Sequence, residues 1–161
     1  MHAIKFQSVV APNGLIANLY GPVEGRRHDS ALLAMPGLLP QLEQHSFAPN
    51  GQALCIYGDP AYPHRLHLQC PSPRRPNLRP EEEAFNQSVS QVRISVEWIF
   101  GDIINYFKFI DFKKNLKIGM SPVGKFYIVC ALLRNAMTCL YGATTSDYFN
   151  LDPPALADYF L

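Results

Sequence analysis

Two carboxylates in this sequence have neighbours suited to chemistry. Asp59 follows the wholly apolar run at residues 53–57 by way of Gly58. A run with no polar residue reads as a strand covered on both faces, central in a sheet. Ligands of open α/β sheets bind just beyond the carboxyl ends of such strands. Glu97 stands between Val96 and Trp98 on a long helical pattern, and a carboxylate in apolar surroundings calls for a cation, a partner or a raised pKa. Held together, two such groups suit Mg²⁺ or Mn²⁺, which prefer carboxylate oxygens. The plainer alternative makes Asp59 a turn residue and joins Glu97 to Arg93, four residues earlier, as an ion pair on the helix surface.

Other polar groups read more plainly. Asp29 precedes a short helix expected near residues 30–34 and suits its cap better than a ligand role. Arg65, Arg74, Arg75 and Arg79 lie in a Pro-rich stretch, residues 60–80, that contains no acid. They are candidates for contact with DNA phosphates, the alternative being a solvated loop. His64 and His67 flank Arg65 and Leu66 and look like surface loop. The four cysteines include no C-x-x-C pair, so no zinc or redox motif is suggested. There is no nucleophile elbow, no phosphate-binding Gly-Lys loop and no dinucleotide fingerprint.

The elements that must position these groups follow from periodicity and punctuation. Residues 2–10 alternate as a strand, Asn13-Gly14 is a hairpin turn signal, and residues 15–20 return as a second strand that Gly21, Pro22 and Gly25 should end. Pro36, Gly37 and Pro40 break the next stretch, leaving one or two helical turns before Gly51. A short strand is expected around Leu66, Leu68 and Cys70. Pro80 at the first helical position, followed by Glu81, Glu82 and Glu83, opens a strong helix. Its core face is Phe85, Val89, Val92, Val96, Ile99, Ile103 and Tyr106, with a polar stripe at Asn86, Ser90, Arg93 and Glu97. A second helix runs from Ser121 to about Tyr141, closed by Gly142, and its apolar residues 126–133 predict deep burial all round.

The chain has 161 residues, 48% hydrophobic and 17% charged, with a net charge of +1. That excludes a disordered polymer and a surface that is basic throughout. The longest apolar run is eight residues, against roughly 20 for a membrane span, and the first thirty residues lack a secretory pattern. The expectation is an intracellular chain, without a membrane, whose thiols sit mostly in the core.

Five segments, in order, resemble a known family. They are His2-Ala3-Ile4-Lys5-Phe6-Gln7, Gly25-Arg26-Arg27-His28-Asp29-Ser30, Tyr57-Gly58-Asp59-Pro60-Ala61-Tyr62, Glu82-Glu83-Ala84-Phe85-Asn86 and Arg93-Ile94-Ser95-Val96-Glu97-Trp98-Ile99-Phe100-Gly101. Residues 2 to about 140 resemble the catalytic domain of PIF/Harbinger-type transposases, within the DDE superfamily endonucleases. The resemblance implies an α/β domain of ribonuclease H-like fold, a mixed sheet flanked by helices, over residues 1–143, with 144–161 as a C-terminal tail. It implies a three-carboxylate site for two divalent metals that cleaves DNA, with Asp59 and Glu97 as catalytic metal ligands. Asp29 and Arg93 are carried over as neighbours of that site.

In the family the first catalytic Asp sits on a strand upstream of the segment that begins here at His2. The expectation is therefore an N-terminally truncated domain without its first, central strand, inactive alone and with DNA binding weakened or lost. The rival expectation is a non-catalytic domesticated domain that works through a protein partner. Both imply a nuclear location, and neither fixes the oligomeric state.

Overall fold

The computed structural model describes residues 4–28, 37–73, 75–111 and 122–161. They form a mixed α/β structure in two compact units, Met1–Arg26 with Ser95–Leu161, and Arg27–Ile94. Among the described residues each unit holds one two-stranded sheet.

In the first unit, β1 (Ile4–Val10) and β2 (Ile16–Glu24) pair antiparallel. The Asn-Gly signal is borne out. The Ala11 amide donates to Leu15, the Gly14 amide donates to Ala11, and the Asn13 side chain accepts from the Leu15 amide. Gly14 takes φ +84, which a side chain would resist. β2 does not end at Gly21 and Pro22 as expected. It continues to Glu24, because a register shift between Lys5 and Gln7 leaves both residues bulged out of the ladder. A bulge tolerates a residue with no amide hydrogen.

The long helix α2 (Pro80–Tyr106) starts where expected. Its residues to Ile94 belong to the second unit and those from Ser95 to the first. In the first unit it buries Ile99 and Ile103, which form a core with Ile110, Cys130 and Ala131. Tyr106, at the end of the expected core face, is exposed. After a 3₁₀ turn (Lys108–Ile110) comes α3 (Val123–Tyr141), closed at Gly142. Ser121, its expected cap, and the helix expected near residues 30–34 lie outside the described residues.

The expected burial of α3 on all sides is corrected. Only one side is covered, the side that carries Cys130, Ala131, Arg134, Asn135 and Thr138, while Phe126, Ile128, Val129, Leu132 and Leu133 are exposed. By length and composition α3 could cross a membrane. Its packed side, however, carries a buried Arg and Asn, an arrangement that a core helix supports. Residues after Gly142 form α4 (Thr144–Phe149) and α5 (Leu156–Tyr159) and belong to the first unit, with Thr145 and Ser146 buried.

The second unit holds α1 (Leu38–His45), with Pro40 in its first turn, where no amide hydrogen is needed. The central strand expected at residues 53–57 is corrected. Only Ile56–Tyr57 (β3) pairs, in parallel with Leu68–Gln69 (β4), and Leu54, Cys55 and Tyr57 are exposed. The exposed Cys55 also departs from the expectation of core thiols, which Cys70 and Cys130 meet. Leu38, Leu68, Cys70 and Val89 are buried here, and His67 packs edge-on against Phe47.

Candidate functional site

Asp59 is positioned by the close packing just before it. The Gly58 amide donates to Gln69 across the β3–β4 pair. A Cβ at Gly58 would meet Leu68 Cδ1 and Tyr62 Cδ2 at 2.9 Å and Cys70 Sγ at 3.1 Å, so any side chain there must displace these neighbours. The chain then turns. Asp59 Oδ1 accepts from the Ala61 amide at 3.1 Å, and its carbonyl accepts from the Tyr62 amide. The other carboxylate oxygen, Oδ2, accepts from Arg93 Nη2 at 3.2 Å. Both side chains are partly exposed, a setting in which an ion pair contributes about 0–1 kcal/mol.

The polar stripe of α2 has a second use. Asn86 Oδ1 accepts from the Ser72 amide at 2.7 Å, and its amide nitrogen donates back to the Ser72 carbonyl. The stripe thus holds two segments, the turn after β3 through Arg93 and the strand exit after β4 through Asn86. Between them lies Cys70, whose amide faces His64 Nδ1 at 3.5 Å. Burial pushes the Cys70 thiol up, against the opposing pull of the Gly58 amide and Arg93. It is therefore a packed thiol rather than a nucleophile.

The structure brings Arg93 to Asp59, and not to Glu97 as the helix-pair alternative has it. Glu97 stands one turn beyond Arg93 on α2 and is exposed, so the expectation of apolar surroundings is corrected; burial demands no partner for it. Among the described residues it makes no ion pair. Asp29 and Arg74 lie outside the described residues.

The basic loop is countered by an acid from the next helix. Arg75 donates to both Glu82 oxygens at 2.6 and 2.8 Å, the Arg79 amide donates to the same carboxylate, and the Arg79 guanidinium lies 3.6 Å away. Arg65 is exposed. The Arg75 hydrogen bonds, then the Arg79 amide, hold the Glu82 carboxyl down at about 2 from an ordinary 4.5. A depressed carboxyl adds stability above its unfolded value and loses it as pH falls through its folded one. The start of α2 is therefore expected to fray between pH 4.5 and about 2. NMR titration of Glu82 should give a midpoint near 2, and Arg75→Ala should return it towards 4.5. A midpoint near 4.5 in the unsubstituted chain contradicts this.

Two residues that the sequence reading passed over organise the first unit. Arg134 is buried; its Nη2 donates to Asp102 Oδ2 at 2.7 Å, its Nη1 to Thr138 Oγ1 at 2.7 Å, and its guanidinium lies over Tyr106. Asn135 bonds both the amide and the carbonyl of Ile16 and donates to the Tyr159 hydroxyl, joining α3, β2 and α5. An Arg-Asn pair inside an apolar helix was the signal available, since such groups must be satisfied when buried.

The donors around Asp59 are an amide on one carboxylate oxygen and a guanidinium on the other, and the guanidinium offsets its charge. Among the described residues no three His, Cys, Asp or Glu side chains are grouped to hold a metal. The residues described do not fit a two-metal centre. Compared with known proteins, residues 1–135 match the family described as DDE superfamily endonuclease, and the chain belongs to it. No curated protein and no solved structure matches the chain.

Proposed function

We propose, from its membership of the DDE superfamily endonucleases, that this chain is a transposase-derived domain of the PIF/Harbinger type, directed at DNA in the nucleus. The reading includes a ribonuclease H-like fold and a descent from metal-dependent phosphodiester cleavage. In such centres divalent ions activate water and stabilise the leaving oxygen. We propose Asp59 and Glu97 as the inherited carboxylates. These 161 residues by themselves then cleave no DNA, and one observation supports that reading: among the described residues no three His, Cys, Asp or Glu side chains are grouped to hold a metal.

The exposed apolar side of α3 favours a second reading, a domesticated domain that acts through association rather than cleavage.

The test uses the purified chain with supercoiled plasmid and millimolar Mg²⁺ or Mn²⁺. No nicking above background is expected, and the melting temperature should not respond to Mn²⁺. A bound ion at a hundredfold its Kd would stabilise by about 2.7 kcal/mol, a shift of several degrees. Nicking that Asp59→Ala abolishes, or such a shift, would sink the proposal.

A further inference from the structure

The acid-free stretch at residues 60–80 contains the sequence Pro71-Ser72-Pro73-Arg74-Arg75. A residue before proline is confined to extended backbone. Ser72 stands between two prolines in a segment, 70–73, that is neither helix, strand nor turn. Asn86 of α2 grips its main chain from both sides, accepting from the amide and donating to the carbonyl. The hydroxyl is left over. Among the described residues Ser72 Oγ has no hydrogen-bond partner, yet it is not one of the buried polar atoms left unsatisfied, so it is open to water. Pro71, Pro73 and Pro76 have no amide hydrogen to commit, which leaves the segment lightly tied by hydrogen bonds.

We infer that Ser72 is a phosphorylation site for a proline-directed serine kinase that reads a basic residue three positions on, and that the phosphate takes Arg75 from Glu82. Pro73 turns away any kinase that needs the next amide as a donor. Arg75 is the basic residue, its side chain 57% exposed. The other Ser-Pro pair of the sequence, Ser121-Pro122, has Gly124 in that place. In the step, Ser72 Oγ bonds to the γ-phosphorus of ATP as the bond from that phosphorus to the β,γ-bridging oxygen breaks. ADP leaves with the bridging oxygen, and the hydroxyl proton passes to the kinase's base. The product carries a charge of about −1.5 to −2 and acceptor oxygens suited to a guanidinium. Three residues span at most about 11 Å of chain, a distance that the phosphoserine and Arg75 side chains together can close. Arg75 now holds both Glu82 oxygens at 2.6 and 2.8 Å, but a phosphate is the more highly charged anion. Glu82 then keeps the Arg79 amide. The inference does not rest on the endonuclease reading.

The full chain is incubated with a cyclin-dependent kinase, its cyclin and ATP, and the phosphate is mapped by peptide mass spectrometry. It should enter at Ser72 and not at Ser121. Ser72→Ala should abolish labelling with an unchanged melting temperature, since the hydroxyl bonds to none of the described residues. Arg75→Ala should slow labelling at least ~10-fold, as loss of a hydrogen bond to a charged group does, and Arg75→Lys should restore most of the rate. In the phosphorylated chain the NMR titration midpoint of Glu82 should rise from about 2 towards 4.5. A chain that stays unlabelled while the same kinase labels a control substrate overturns the inference. So does label at Ser121 in place of Ser72, or a rate indifferent to Arg75→Ala. A Glu82 midpoint still near 2 after phosphorylation overturns the exchange of Arg75.

Discussion

Asp102→Ala is expected to destabilise the chain by about 3 kcal/mol, measured by urea denaturation followed by circular dichroism. The Arg134 side chain is 5% exposed, and Asp102 is its carboxylate partner at 2.7 Å. Thr138 takes one further donor, and the Arg134 Nε is buried without a partner among the described residues. Removing one member of a buried pair leaves an uncompensated charge, at about 3–5 kcal/mol. Asp102 is 29% exposed, so water can partly replace it and the low end applies. Asp102→Asn keeps an acceptor and should lose about half as much, since a hydrogen bond to a charged group is worth about 1.5–3 kcal/mol. Asp102→Leu with Arg134→Met should come close to the unsubstituted chain, because a packed apolar pair can match a buried ion pair. An unchanged midpoint for Asp102→Ala would mean that Arg134 swings to solvent, and that α3 is held by its apolar contacts and Asn135 alone.

What could be read from the sequence was whatever local chemistry decides. Pro80 with three glutamates opens α2, Asn13-Gly14 turns the hairpin, and Gly142 ends α3. What failed were the inferences about what covers an element. Residues 53–57 are apolar throughout, yet a run that short does not reveal whether a neighbouring strand exists to pair with it. Here β4 offers two residues, and three of the five stay exposed. The apolar residues of α3 likewise do not say which side the core takes. Arg93 had two acids to choose from, Glu97 one turn along and Asp59 far away in sequence. The choice of Asp59 is tertiary, made where the turn after β3, packed on Leu68 and Cys70 through Gly58, comes within reach of Arg93. The same limit applies to the candidate site: residue types pointed to Asp59 and Arg93, but only coordinates show that they neutralise each other.

Gly58→Val tests that packing directly and should destabilise by about 2–3 kcal/mol, as overpacking in a filled core does. The added Cβ would already press on Leu68, Tyr62 and Cys70, and Leu68 and Cys70 are each 1% exposed, so neither can yield into solvent. Two further methyl carbons leave only a backbone shift. That shift strains the Gly58 amide bond to Gln69, and with it the β3–β4 pair and the turn that presents Asp59 to Arg93. Cys70 supplies a second, independent readout. Burial makes it a protonated, shielded thiol, so it should label slowly with a thiol reagent, while the exposed Cys55 labels at once. In Gly58→Val the labelling of Cys70, read by peptide mass spectrometry, should rise at least ~10-fold, the ratio that about 1.4 kcal/mol of easier opening gives. Cys55 should be unchanged. If stability and Cys70 labelling both stay as they were, close packing does not fix the turn, and the Asp59–Arg93 pair would have to be held by the ion pair itself, at a strength that partly exposed pairs do not reach.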